Sequence, residues 1–488
     1  MKVKIIYSFI WFTLFGVVVN GQVRQPHSLY FMETIPQISQ MNPALQPRAN
    51  VYVMLPANVN IDMVGDLALK DIFQKQGNTW YTPFEKQFNY ALLRKSIGTK
   101  TTMMNSGIDL DIIGFGFRLG NSYLSFGFSE HVSGIFALPS DMFKVTENGF
   151  PDGTSLDFSP MRSQGMVYKQ FLIGYSGKIG DKLTLGANVK PIFGQAVLAT
   201  NIEKFNIHTG DWQWDADMKG DIYSSLPVDQ ITMDEDGKID NIKFRDTDDY
   251  KANDWIQDYG TDVNNPGIAL DIGAVYQLNE RLALSVAVNN LGFISWKEDL
   301  NGLNFNGKTT FNGVSFDYSK DDIEDLFSHL GDSLLASFDY TVQHDKFTTV
   351  LPPVLYVGAS YQLSKAVSAG LLSRTVFWKN NVRQSFNLSF CLQPYSFVAV
   401  NASASYQVKG NIYMGGGFTF FLGPLQFFVL ADYVPIYYST LKIDDGDKIP
   451  YVPEQFKTFT VRTGLNLVFG KHGYTNKPML DKGKSSWN

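Results

Sequence analysis

The chain has 488 residues, 14% of them aromatic, with 42 glycines, one cysteine (Cys391) and a net charge of −6. The acidic balance excludes a nucleic-acid binder, which needs a basic face. One cysteine excludes a disulfide framework and any cysteine-rich metal site.

Lys2 and Lys4 precede an apolar run from Ile5 to Val19, and Asn20-Gly21-Gln22 follows. A basic start, an apolar stretch of about 15 residues and a small residue at the cut form a secretory signal. The run falls short of the roughly 20 residues that a spanning helix needs. Residues 1–21 are expected to be removed between Gly21 and Gln22, with no cysteine at the cut to carry a lipid. No later apolar run is long enough for a transmembrane helix, so a place in a membrane requires a barrel.

Residues 22–48 are polar and spotted with Pro26, Pro36, Pro43 and Pro47. They read as an irregular segment inside or beneath such a barrel. A first strand follows from Asn50, weakened by Pro56. After a long polar stretch, residues 107–120 and 121–132 form a hairpin across Gly120-Asn121, and 165–176 and 181–194 form another. Residues 195–265 are the most polar part, with strands that could extend beyond a membrane. Residues 267–278 place Ile268, Leu270, Ile272 and Tyr276 on one face and Asp271 and Gln277 on the other. The next strand, 281–288, alternates Leu282, Leu284, Val286 and Val288 with small residues.

Within the excursion 297–347, Ser319 and Asp322 resemble a capping box. Ile323, Leu326, Phe327, Leu330 and Leu334 follow at helical spacing, which predicts a helix packed on its own loop. From about Thr348 strands follow almost without interruption. The last is the clearest: Phe459, Val461, Leu465, Leu467 and Phe469 lie opposite Thr458, Thr460, Arg462, Gly464 and Asn466. A transmembrane barrel strand needs one face towards lipid and one towards a polar lumen.

About 14 strands emerge, with 16 as the alternative, over residues 49–469. The long connections 64–106, 133–164, 195–265 and 297–347 all fall on one side, and the other side has only short turns. Outer-membrane barrels show this asymmetry, with the short turns periplasmic, whereas a soluble sandwich has no reason to segregate loop length this way. Both ends of the barrel chain are then expected on the short-turn side, with residues 470–488 as a periplasmic tail. Trp296, Trp378, Tyr433, Tyr437 and Tyr438 lie near strand ends and are expected in interfacial girdles. Asp271, Arg383, Asn387, Asn401 and Arg462 are expected to face the lumen.

Signals for chemistry are few. The histidines (His27, His131, His208, His329, His344, His472) show no HExxH spacing, and no GxSxG elbow occurs. No enzyme activity and no cofactor are expected. Asp234, Asp236 and Asp240 around Gly237 resemble pieces of a calcium loop without the EF-hand spacing. A hairpin turn over residues 235–238 is the plainer reading.

The segment 35–56, with Asn42-Pro43-Ala44 before the first strand, is similar to the N-terminal region of FadL-like and PorV-like outer-membrane proteins. Together with residues 289–296 and 348–363, it resembles an uncharacterised branch of that group, a family of unknown function. The resemblance implies a 14-stranded barrel with residues 22–48 as a lumenal hatch carrying Asn42, Pro43 and Ala44. It implies a passive channel for hydrophobic or small solutes, or else a non-transporting partner of type IX secretion or surface-assembly machinery. Arg462, Gly464, Leu467 and Phe469 resemble the last-strand signal read by barrel-assembly machinery, with Leu467 in an aromatic's place. The expected partners are outer-membrane lipid, that machinery, and a hydrophobic small molecule or a secretion protein.

Overall fold

The computed structural model describes residues 26–66, 101–142, 152–211, 213–226, 263–311, 340–378, 381–408, 412–434 and 457–470, with a few shorter pieces. The signal segment, the helix predicted from Ser319, Asp234, Asp236 and the tail beyond residue 470 lie outside the described residues, as do the side chains of Asp240, Trp378, Tyr437 and Tyr438.

Period-two alternation closes into an antiparallel barrel of 14 strands. In chain order these are β1 (Val51–Met54 and Asn58–Gly65), β2 (Thr101–Leu119), β3 (Ser122–Pro139), β4 (Arg162–Ile179), β5 (Leu183–His208), β6 (Pro266–Gln277) and β7 (Leu282–Trp296). There follow β8 (Phe347–Val350 and Val354–Ser364), β9 (Val367–Trp378), β10 (Asn381–Tyr395), β11 (Val398–Gln407), β12 (Ile412–Leu422), β13 (Leu425–Val434) and β14 (Thr458–Phe469). Each strand pairs with the next, and β14 returns to β1 with Val51 opposite Phe469 and Val64 opposite Thr458. Closure leaves the wall no free edge.

Along β14 every second residue, from Thr458 to Val468, is buried. Outward-facing Phe115, Ile173, Leu270, Leu388 and Phe427 are exposed, as a lipid-facing belt requires. Gly120 and Gly423 adopt positive φ in two of the short turns, where a side chain would be strained.

Two bulges change which face a residue occupies. The β6–β7 register shifts beside Asn289-Asn290, with Asn290 at φ 61°, so Ile294 and Trp296 turn inward. The β12–β13 register shifts near Tyr433, itself at φ 63°. Trp296 and Tyr433 are thus fully buried rather than in an interfacial girdle. Trp296 donates its indole N–H to Thr349 Oγ1 at 2.9 Å and packs among Met166, Tyr168, Ile192, Ile294 and Leu351.

β5 is long because it has two partners on one side. Its lower half pairs with β6 as far as Phe193 opposite Pro266. Its upper half, from Val197 to His208, pairs with an outer strand, Trp214–Ser225. That strand pairs with Gly302–Phe311, which pairs with Tyr340–Gln343. Asn265, at φ 48°, holds the branch point. Its amide nitrogen donates to Gly194 O (3.3 Å) and Ser225 Oγ (3.2 Å), and its amide oxygen accepts from the N–H groups of Lys297 (2.7 Å) and Glu298 (3.0 Å). One face of the outer sheet has an apolar core of Ile207, Trp214, Ala216, Phe305 and Phe311, joined by Leu156, Phe158 and Phe338. Asp157, Asn206, His208, Asp215, Asp217, Lys308 and Thr310 line an open cleft of about 770 Å³ on this sheet.

Candidate functional site: the hatched lumen

Residues 27–48 occupy the lumen as a 3-10 turn (His27–Phe31), a single α-helical turn (Ile38–Met41) and irregular chain. The prolines explain this: each removes a backbone donor and fixes φ, so no regular element extends past one turn. Leu29, Tyr30, Met32, Ile35 and Met41 are buried against wall residues Val354, Tyr356, Leu372, Phe428 and Leu430. The segment starts near the outer end of the lumen, whereas the barrel chain itself starts at the short-turn rim. At the outer end His27 lies against Ser385 on β10 and Asp432 on β13. From there it runs back to the rim, where Asn50 N–H donates to Phe469 O at 2.8 Å.

Polar side chains fix each part of its course. At the outer end Asp432 Oδ2 accepts from the backbone N–H groups of His27 and Ser28. The His27 ring lies 3.1 Å from Ser385 Oγ through Nε2 and 3.1 Å from the Tyr433 hydroxyl through Nδ1. Ser385, His27 and Asp432 thus form a Ser–His–Asp order in space, which residues 358 and 47 positions apart conceal in the sequence. All three are sealed, at 4%, 1% and 1% exposure. With no open side for a substrate, they act here as an anchor.

In the middle, Asn42 Nδ2 donates to the Tyr30 hydroxyl (2.9 Å) and Val286 O (3.4 Å), and Tyr30 donates on to Ser285 Oγ (3.0 Å). Asn42 Oδ1 accepts from Ala44 N–H at 2.9 Å, closing an Asx turn around Pro43. The wall admits this turn through two glycines. A Cβ on Gly186 would lie 2.3 Å from Pro43 C, and one on Gly273 would lie 2.1 Å from Asn42 Oδ1. Asn289 Nδ2 caps the helical turn through Gln40 O (2.9 Å) and Met41 O (3.0 Å).

Gln37 exchanges amide hydrogen bonds with Asn466 (2.9 and 3.1 Å) and donates to Asn58 Oδ1 (2.8 Å). Gln40 joins the buried Arg462–Asp111 ion pair, whose N···O distance is 2.6 Å. At the rim, Arg118 donates to Gln46 Oε1 and Pro47 O, and Arg48 pairs with Glu33 and donates to Gln393.

The five polar residues read as lumen-facing all lie on the inner face. Asp271 is fully buried, pairs with Lys190 at 2.6 Å and accepts from Asn188 Nδ2 (3.2 Å) and Asn290 N–H (2.8 Å). Asn387 donates to Ser405 Oγ, Asn401 Nδ2 lies 3.0 Å from Cys391 Sγ, and Arg383 is 3.8 Å from Asp66. Asn42 and Pro43 meet the wall, and Ala44 is buried beside them. Gly464 faces Asn58, Leu467 pairs with Val53, and Phe469 pairs with Val51. Among the described residues, no group of three or more His, Cys, Asp or Glu side chains could hold a metal. Sequence reasoning missed Gln37, Gln40 and His27. Only their place in a proline-spotted segment next to a barrel could have flagged them.

Two solved structures align with this chain. The Ralstonia pickettii toluene transporter TbuX aligns with 9% identity and a TM-score of 0.43 over 93% of this chain and 96% of that chain. The P. putida toluene transporter TodX aligns with 9% identity and a TM-score of 0.39 over 88% and 93%. A comparison with curated proteins returns no match. A family model, described as a family of unknown function, matches residues 43–432. That match takes in most of the chain, which therefore belongs to the DUF5723 family.

Proposed function

We propose that this barrel is a passive outer-membrane channel for hydrophobic or small solutes, gated by its N-terminal hatch and delivered by a cleaved signal at residues 1–21. One observation carries the reading. The lumen holds a segment attached to the wall through side-chain hydrogen bonds and apolar packing, not built into it. Such contacts are each worth about 0.5–1.5 kcal/mol net and break singly, so the segment can shift while the wall stays closed. Liposome swelling and ligand uptake, compared between the full chain and a form lacking residues 22–48, test it. Opening in the shortened form supports the channel. No flux in either form, with both barrels folded, overturns it.

A second reading has its own motive. The outer sheet, with a separate apolar core and a polar cleft, offers a surface beyond the membrane for a secretion or assembly partner. Recovery of a stoichiometric partner from native outer membrane, lost when residues 213–226 and 302–311 are removed, favours it.

A further inference from the structure

β14 and β1 close the barrel through a ladder that has a gap. Pairing runs from Val51–Phe469 to Met54–Asn466, one further backbone bond follows from Leu55 N–H to Leu465 O (3.0 Å), and the register resumes at Val59–Thr463. Between them Pro56 has no N–H to give, and Ala57 N–H turns to Leu55 O at 2.7 Å. By contrast, the β9–β10 register is continuous from Val367–Leu392 to Trp378–Asn381.

Side chains occupy the gap. Asn58 Nδ2 donates to Leu55 O (2.9 Å) on its own strand and Leu465 O (3.0 Å) on β14. Its Oδ1 would lie 1.8 Å from a Cβ on Gly464, so only glycine leaves room for that amide. Hatch residue Gln37 then holds Asn58 on β1 and Asn466 on β14 together. Asn466 donates to Gln426 on β13 (2.8 Å), and Gln426 donates back to hatch residue Thr34 O (2.6 Å). A second clasp lies further along. Arg462 on β14 reaches across β1 to Asp111 on β2 (2.6 Å) and donates to Gln40 (2.8 Å), which donates to Asp111 (3.2 Å). Gln37, Asn58, Gln426, Arg462 and Asn466 are at most 2% exposed. Water cannot replace a lost partner there, so removal of either glutamine leaves buried amides and a guanidinium under-satisfied.

We infer that the hatch fastens the closing seam of the barrel: Gln37 and Gln40 complete the bonding between the first and last strands, so this part of the hatch braces the seam while the part from Asn42 to Arg48 can shift without opening it. This holds whether or not a solute passes. It also gives Arg462 and Gly464 of the last strand a task in the finished barrel, separate from any recognition during assembly.

The test uses the full chain in a Cys391→Ser background, refolded into detergent. Gln37→Leu/Gln40→Leu is expected to speed amide exchange in β1 and β14 by about tenfold or more, leaving β9 and β10 unchanged. An oxidised Ile61→Cys/Val461→Cys pair, on partnered outward positions of the seam, is expected to restore heat resistance to that variant. A Leu388→Cys/Ala404→Cys pair on β10–β11 is the control and is expected not to. Uniform exchange across the wall, or equal rescue by both pairs, means the hatch merely fills space and overturns the inference. Should the double leucine variant fail to fold, the same two pairs decide: rescue by the seam pair alone supports the fastener, and rescue by neither overturns it.

Discussion

Gly186→Ala adds one methyl group where the wall meets the Asx turn of the hatch. The new Cβ would sit 2.3 Å from Pro43 C, 2.4 Å from Pro43 O and 2.5 Å from Ala44 N, against an ordinary contact of 3.4 Å or more. The obstacle is backbone, not a side chain that can swing aside. The turn must retreat by about 1 Å, and overpacking of this kind costs about 1–3 kcal/mol. Gly186 itself has no positive φ, so alanine does not strain β5. The penalty therefore falls on the seated hatch and not on the wall. At about 2 kcal/mol the ratio of displaced to seated hatch rises about 30-fold. Planar-bilayer conductance is expected to rise, and trypsin is expected to cut sooner at Arg48, with heat resistance of the barrel retained. Gly127→Ala is the control, since its Cβ finds no neighbour nearer than 3.7 Å. A Gly186→Ala protein that conducts and is cut like the Gly127→Ala control refutes the reasoning.

The remaining predictions concern charge and the outer sheet. Arg462→Met strands the Asp111 carboxylate in a dry site and is expected to cost about 3–5 kcal/mol in urea unfolding. The double change Arg462→Met/Asp111→Leu is expected to recover most of it, and a strictly additive pair would contradict this. Asn265→Ala loses four side-chain hydrogen bonds and places alanine at positive φ, at a local cost of about 2–4 kcal/mol. Limited proteolysis is expected to remove the outer strands first, with the barrel intact. The hydrogen bond from Lys204 holds the Asp217 carboxyl below its ordinary range. A depressed carboxyl stabilises above that range and loses its contribution as pH falls through it. Protease resistance of the outer sheet is therefore expected to drop below about pH 4, and Lys204→Met is expected to remove that step.

The wall was readable because lipid imposes a strict two-residue period, and β14 keeps it from Thr458 to Phe469. The order of long and short connections was readable for the same reason, since each crossing changes side. Faces failed where a bulge broke the period: a count from Val288 puts Trp296 outward, and the Asn289-Asn290 bulge turns it in. Tyr433 failed in the same way. The hatch was legible as a segment, from its prolines and Asn42-Pro43-Ala44, but its partners were not. Gln37 meets Asn466 across 429 positions, and no local pattern encodes such a pairing. Asn58 and Gly464 looked like an ordinary strand residue and a motif glycine until the gap at Pro56 brought them together.

The branch at Asn265 has a geometric outcome. A barrel's girth grows with the number of strands around it. Above Asn265 that number does not change: Trp214–Ser225 takes the place of β6 beside β5, Gly302–Phe311 prolongs β7 beyond Trp296, and Tyr340–Gln343 prolongs β8 beyond Phe347. The wall accordingly extends on one side as it leaves the bilayer, without a change of girth. Strand number and stagger within the membrane stay fixed below a single asparagine, so the extension can lengthen, shorten or change its chemistry without any change in the bore beneath it.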